Sequence, residues 1–242
     1  PFARPSIINP QVTYFDGFRD IAVGGDGAAV KITYSNDDLG EFDFNFSRGE
    51  SAISDEQADV NIGEQALGSI DHDLDTQMSL YWRPSYSQWQ IGLSSNDSSF
   101  SYKSAVVDSF FDSDFIFKLY TVNALYEGEF WQFSAELVQE RLAIDGFYSP
   151  EFQRDEIGQG YYAQARYQIE RYLSFTLRYE RFYVNKNDKN GSELEQNSGG
   201  LIPAYFGFHN DAMIGLSYDF SSNFRMNAEY HWMQGAARLS PV

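Results

Sequence analysis

Glu41-Phe42-Asp43-Phe44-Asn45-Phe46-Ser47 decides the fold, because three phenylalanines alternate without a break with carboxylate, amide and hydroxyl side chains. Successive side chains of a strand point to opposite faces, so a period of two builds one greasy face and one polar face. One such strand would suit a soluble sandwich. Here the pattern recurs in ten stretches, paired as 28–35 with 41–47, 76–83 with 88–95, 115–126 with 130–140, 161–170 with 173–183, and 212–220 with 224–232. The turns within pairs are short, and the connections between pairs (48–75, 99–114, 143–160 and 187–211) are long. Short turns at one end and long loops at the other are how transmembrane β-barrels are strung, with the greasy face toward lipid and the polar face toward water.

Composition narrows the choice. The 242 residues are 17% aromatic, with 21 Phe and 17 Tyr, yet the mean hydropathy is −0.45. A helical membrane protein needs apolar runs of about 18 residues or more, and none occurs. A barrel needs only every second residue apolar, so its average looks soluble. There is no cysteine, which excludes disulfides, thiolate metal sites and cysteine nucleophiles. The net charge of −18 argues against nucleic acid as a partner.

The phase of each strand assigns its faces. Val30, Ile32 and Tyr34 lie on the lipid side, as do Met78, Leu80 and Trp82, and Trp131, Phe133, Ala135 and Leu137. The strand 115–126 is nearly apolar on both faces; Tyr120, Val122, Ala124 and Tyr126 are assigned outward. Aromatics gather beside the short turns (Trp82, Tyr86, Trp89, Tyr126, Trp131, Tyr172, Phe175, Tyr218, Phe220 and Phe224), as an interfacial girdle requires. On the polar face the same phase places the acids Glu41, Asp43, Glu136, Glu170, Glu180, Asp219 and Glu229 and the bases Lys31, Arg166, Arg178 and Arg225. These are the candidate pore-lining residues. In a water-filled lumen they set the ion preference; the plainer reading is that they pair across strands and keep the lumen wet.

Arg4-Pro5-Ser6-Ile7, Pro10-Gln11, Tyr14-Phe15-Asp16, Arg19-Asp20 and Asp26-Gly27, with Arg178 to Val184 (RYERFYV) near the end, resemble a group of proteobacterial outer-membrane porins distantly similar to the phosphate-selective porins. The resemblance implies that the first segment, residues 1–27, folds into the lumen and narrows it, with Arg4, Asp16, Arg19 and Asp20 near the constriction. It also implies a homotrimer by analogy. The chain departs from phosphate-selective porins in lacking an excess of lumenal lysine and arginine. The stop at Leu239-Ser240-Pro241-Val242, without a terminal aromatic strand, is read as an internal piece of a barrel of 12 to 18 strands.

Other motifs carry less. Asp71-His72-Asp73-Leu74-Asp75 alternates carboxylates as a calcium loop does, but Thr76 stands where the sharp turn needs glycine. It reads as a solvated acidic loop, and no metal ligand is assigned. His209 and His231 lack a serine partner of the kind a hydrolase uses; His231 is expected beside Glu229 on the polar face. Gly24-Gly25-Asp26-Gly27 has no phosphate-loop context and reads as a turn. The expectation is an all-β, antiparallel up-and-down barrel of the Gram-negative outer membrane, residues 28–242, surrounded by outer-membrane lipid. It passes small hydrophilic solutes or ions, with no catalytic residue and no cofactor. The alternatives are a barrel wrapped around a protein partner and an outer-membrane enzyme acting on lipid.

Overall fold

A computed structural model describes residues 9–12, 25–51 and 67–238. Ten strands form one sheet in the order of the chain. They are β1 (Gly25–Asn36), β2 (Gly40–Ser51), β3 (Ser69–Arg83), β4 (Trp89–Lys103), β5 (Ser113–Glu127), β6 (Trp131–Gly146), β7 (Gln153–Glu170), β8 (Leu173–Tyr183), β9 (Phe208–Ser221) and β10 (Phe224–Gly235). Every neighbour is antiparallel. The fold is therefore an all-β, up-and-down meander. A short helix, α1 (Ser192–Asn197), and a 3-10 turn (Ala204–Gly207) lie in the β8–β9 connection. Among the described residues no helix is long and apolar enough to cross a membrane.

Strand lengths run from 11 residues in β8 to 18 in β7, enough to cross a bilayer at the usual tilt, which takes about 9–11. The strands extend beyond the sequence-based bounds at their loop ends. β3 begins at Ser69, β7 at Gln153 and β9 at Phe208, whereas alternation alone places those starts at residues 76, 161 and 212. Beyond the lipid both faces meet water, so the greasy–polar contrast fades while the backbone ladder continues. For the same reason Asp71–Asp75 is part of β3, with a register shift between His72 and Asp75, and not a loop.

Burial is inverted relative to a soluble protein. Val122 is 46% exposed and Ile32 56%, whereas Glu180 and His209 are 0% exposed. A sandwich would press its apolar face onto a second sheet; here that face stays open across the sheet, as a lipid-facing surface does. The girdle beside the short turns is continuous, with Trp89 against Tyr126 (5.1 Å between ring centres), Trp131 against Tyr167 (4.5 Å) and Tyr172 against Tyr218 (5.3 Å). The Trp82 indole N–H donates to the Leu39 carbonyl at 2.8 Å, so one girdle residue also fixes the neighbouring turn.

That turn is built by its residue types. Asn36 Oδ1 accepts from the amides of Asp38 (2.9 Å) and Leu39 (3.0 Å), an Asx turn. Gly40 follows at φ +96°, and a Cβ there would fall on the Arg83 carbonyl of β3. Gly40→Ala is expected to destabilise the sheet by more than about 1 kcal/mol, because the strained φ and the clash add. Urea titration of detergent-folded protein, followed by tryptophan fluorescence, measures this; an unchanged midpoint would contradict the turn geometry.

Candidate functional site: the enclosed polar face

The antiparallel registers gather the inward side chains into cross-strand rows. Glu136 of β6 stands opposite Tyr162 of β7, Tyr162 opposite Glu180 of β8, and Glu180 opposite Asp211 of β9. One row thus carries three carboxylates over four strands. Like charges directly opposite repel, and the adjacent row supplies the remedy. Arg178 lies 3.6 Å from Glu180 and 3.9 Å from Asp211, its side chain fully buried. His231 of β10 places Nδ1 2.7 Å from Asp211 and Nε2 3.3 Å from Glu229. The expected neighbourhood of His231 and Glu229 is present, and Asp211 joins it from a position that alternation had left in a loop. His209, on the same face of β9, is fully buried with neither ring nitrogen hydrogen-bonded among the described residues.

Above this row a short piece of chain is held against the wall. The Val12 amide donates to Glu180 Oε2 at 3.1 Å, and its carbonyl accepts from Arg238 Nη2 at 3.4 Å. The Val12 side chain, 1% exposed, packs with Val138 and Phe182. Gly160 makes the socket: a Cβ there would lie 2.7 Å from Val12 Cγ1. Arg238 reaches Glu140 at 2.6 Å and lies over the Phe182 ring, 3.6 Å from its centre. It is carried there by residues 236 and 237, whose amides donate to the carbonyls of Tyr205 (2.8 Å) and Phe208 (3.1 Å). Residues 9–12 therefore sit on the polar face of β6–β8. The remaining residues proposed for the constriction, Arg4, Asp16, Arg19 and Asp20, lie outside the described residues.

The other expected inward charges are placed as follows. Asp43 accepts from the Thr33 hydroxyl (2.6 Å) and from Arg83 Nη1 (2.9 Å), with Lys31 at 3.7 Å. Arg83 also bonds Glu41 and donates from Nε to Gln90 at 2.9 Å. Arg225 and Asp219 face each other as a bidentate pair near the last short turn. Arg166 donates to the neutral Ser174 hydroxyl at 3.1 and 3.0 Å. Glu136, Arg178 and Glu180 are on the inner face yet almost wholly buried, beneath other groups rather than at open water. Glu170 leaves the inward phase: a register shift after Gln168 sets it opposite Leu173, which belongs to the lipid-facing row.

The inward set assigned from sequence omits Arg83, Glu140, Asp211 and Arg238. The first two end the alternating stretches 76–83 and 130–140, in phase with Asp43 and Glu136, and are left out of the inward charges. Asp211 is in phase with Ser217 and Asp219. Arg238 has no sequence signal, since it lies past the last strand and is placed by the β8–β9 connection.

At the loop ends the polar face turns aromatic. Tyr102, Phe115 and Phe147 are buried, with Phe110 stacked on Phe147 (4.4 Å) and Phe100 on Phe115 (4.7 Å). The connection from β4 to β5 is tied by carboxylates. Asp108 accepts from the Tyr102 hydroxyl and the Phe110 amide. Asp112 accepts from the Ser104 amide and hydroxyl, both at 2.8 Å. Those Ser104 bonds, helped by Lys103 nearby, hold the Asp112 carboxyl below the usual carboxylate range.

No protein-family model matches the chain, and no curated protein matches it in sequence. The class defined by the sheet order, strand lengths and inverted burial is that of antiparallel up-and-down β-barrels with an apolar outer face. Among solved structures it is similar to the outer membrane channel DcaP of Acinetobacter baumannii, with a TM-score of 0.58 and 11% identity. The match covers 87% of this chain and 57% of that one, so the chain spans a little over half the length of that channel. At this identity the likeness is one of fold. It gives no support to a phosphate-selective porin in particular.

Because the sequence has no cysteine, a single Val12→Cys variant reports the clasp cleanly. The thiol is expected to be protected from a water-soluble maleimide, and adding Gly160→Ala to raise its labelling rate at least about ten-fold by filling the socket. Equal rates would show that Gly160 does not seat Val12. The Asp112 ties have a defined pH window. With a folded value below the unfolded one, their contribution is complete above about pH 4 and is lost as pH falls through the folded value. The NMR shift of the Ser104 amide should stay constant from pH 8 down to about pH 4.5 and move below that. Asp112→Asn should abolish the step.

Proposed function

We propose that this protein is a channel of the Gram-negative outer membrane, through which small hydrophilic solutes or ions diffuse passively along the polar face of the barrel, with no chemistry performed on them. The carrying observation is the inverted burial, an open apolar face and an enclosed face set with rows of ionisable side chains. The likeness in fold to the outer membrane channel DcaP supports the reading. Residues 9–12, clasped by Glu180 and Arg238, occupy part of the cross-section, which favours narrow passage over a wide pore.

Acids outnumber bases along the inner rows. Low-dielectric walls focus a carboxylate field along the water path, so the proposed channel prefers cations weakly. In planar bilayers the purified protein is expected to give discrete conductance steps. The reversal potential in a potassium chloride gradient should show cation preference, fading toward molar salt, where the screening length falls to about 3 Å. Arg4→Gln with Arg19→Gln should leave the sign unchanged. Well-folded protein without conductance would remove the channel reading, and clear anion preference would move control to the first segment.

A further inference from the structure

The lipid-facing rows end in polar residues at one height. Running from the short turns, the outward positions change to Asp97 in β4, Lys118 in β5, Gln139 in β6, Gln159 in β7, Arg181 in β8 and Asn210 in β9. In β8 the change falls nine residues after Tyr172 of the girdle. That is about 30 Å along a strand and, at a tilt of about 40°, about 23 Å of height, close to the apolar band of about 25 Å. This boundary lies on the long-loop side, where the outer leaflet's headgroups meet the wall.

Two cations near this line are neutralised within the protein. Lys118 pairs with Asp97 at 2.6 Å, and Arg141 grips Asp155 with two bonds of 2.8 and 2.6 Å. Arg181 and Lys189 differ. Arg181 donates to the neutral Asn210 side chain at 2.8 Å, and its guanidinium lies 5.3 Å from the centre of the Tyr183 ring. The Lys189 ammonium lies 5.7 Å from the same ring. Among the described residues no carboxylate is within ion-pairing distance of either. Two like charges share one ring, although the chain as a whole carries −18.

Beside them runs a groove of about 510 Å³. Its floor toward the membrane is Val122, Leu137 and the rings of Tyr120 and Tyr161; its upper rim is Gln139, Gln159, Tyr183 and Lys189. Hydrocarbon fits the lower part. Amides, a phenol and an ammonium fit a polar headgroup above. An anionic group between Arg181 and Lys189 would relieve their repulsion, and phosphate oxygens suit both a guanidinium fork and an ammonium.

We propose that Arg181, Lys189 and Tyr183, with this groove, form a binding site for a phosphate-bearing lipid of the outer leaflet, the phosphate between the two cations and an acyl chain along Val122 and Leu137. The site rests on the outer-membrane placement proposed above, but not on conduction. Native mass spectrometry of the detergent-folded protein, titrated with bis-phosphorylated lipid A and with the same lipid after dephosphorylation, tests it. The phosphorylated lipid is expected to bind at least about ten-fold more tightly, and Arg181→Gln with Lys189→Gln to reduce that affinity at least about five-fold without affecting the dephosphorylated lipid. Lys189→Gln alone, in an exposed connection, should reduce it at least about two-fold; Lys118→Gln, whose cation is already paired, should leave it unchanged. No preference for phosphate, or a double variant that binds as the parent does, would overturn the site. Bilayer conductance of the same samples separates the two readings: a silent protein that keeps phosphate-dependent binding loses the channel and keeps the site, and a conducting protein without phosphate preference does the reverse.

Discussion

Hydrocarbon offers no partner to a backbone amide or carbonyl, and each one left unpaired there costs several kcal/mol. This constraint organises the molecule. At every seam from β1 to β10, strands laid side by side in chain order satisfy one another's ladders through nearest-neighbour pairing, with each connection at one end or the other of the sheet. Once the backbone is satisfied this way, the side chains are free to follow the solvent. That is why an alternating sequence of ordinary mean hydropathy suffices, and why aromatic rings, apolar on their faces and polar at one edge in Tyr and Trp, collect where the hydrocarbon ends.

The enclosed face has the opposite difficulty. A charge removed from water must be paired or hydrogen-bonded, and the rows on β6 to β10 show how this is met. The carboxylates of Glu180 and Asp211 stand side by side because the register aligns them; from the next row Arg178 reaches both and His231 reaches Asp211. Glu180 retains an oxygen for the Val12 amide. An electrostatic conflict within the wall thereby becomes an attachment point for a segment that crosses it. The clasp uses backbone groups of Val12 and the shape of its side chain. Its identity thus matters for the socket at Gly160, while the charged partners act on any residue that can offer an amide and a carbonyl.

The two boundaries of the apolar face are different in kind. At the short turns the girdle is aromatic and nearly uncharged. At the loop side charged residues appear on the lipid-facing rows, and Lys118 and Arg141 are answered within the wall by carboxylates. The two rims of the apolar face are thereby chemically distinct.

The fold class was legible in 41–47 and its repeats, because period two, strand length and alternating connection length are local properties that survive any tertiary arrangement. The facing of Lys31, Asp43, Glu136, Arg178 and Glu229 followed from the same phase. What alternation could not supply lies where the phase is broken or the chain is irregular. Glu170 turned outward at a register shift after Gln168, and β3, β7 and β9 ran on where both faces meet water and no contrast remains. Only the tertiary structure brought Val12 to Glu180, 168 positions apart, and Arg238 to Glu140, 98 apart. It also decided which inward charges are buried. Alternation states which face a side chain occupies; what covers that face depends on contacts between segments distant in sequence, and no local pattern encodes those.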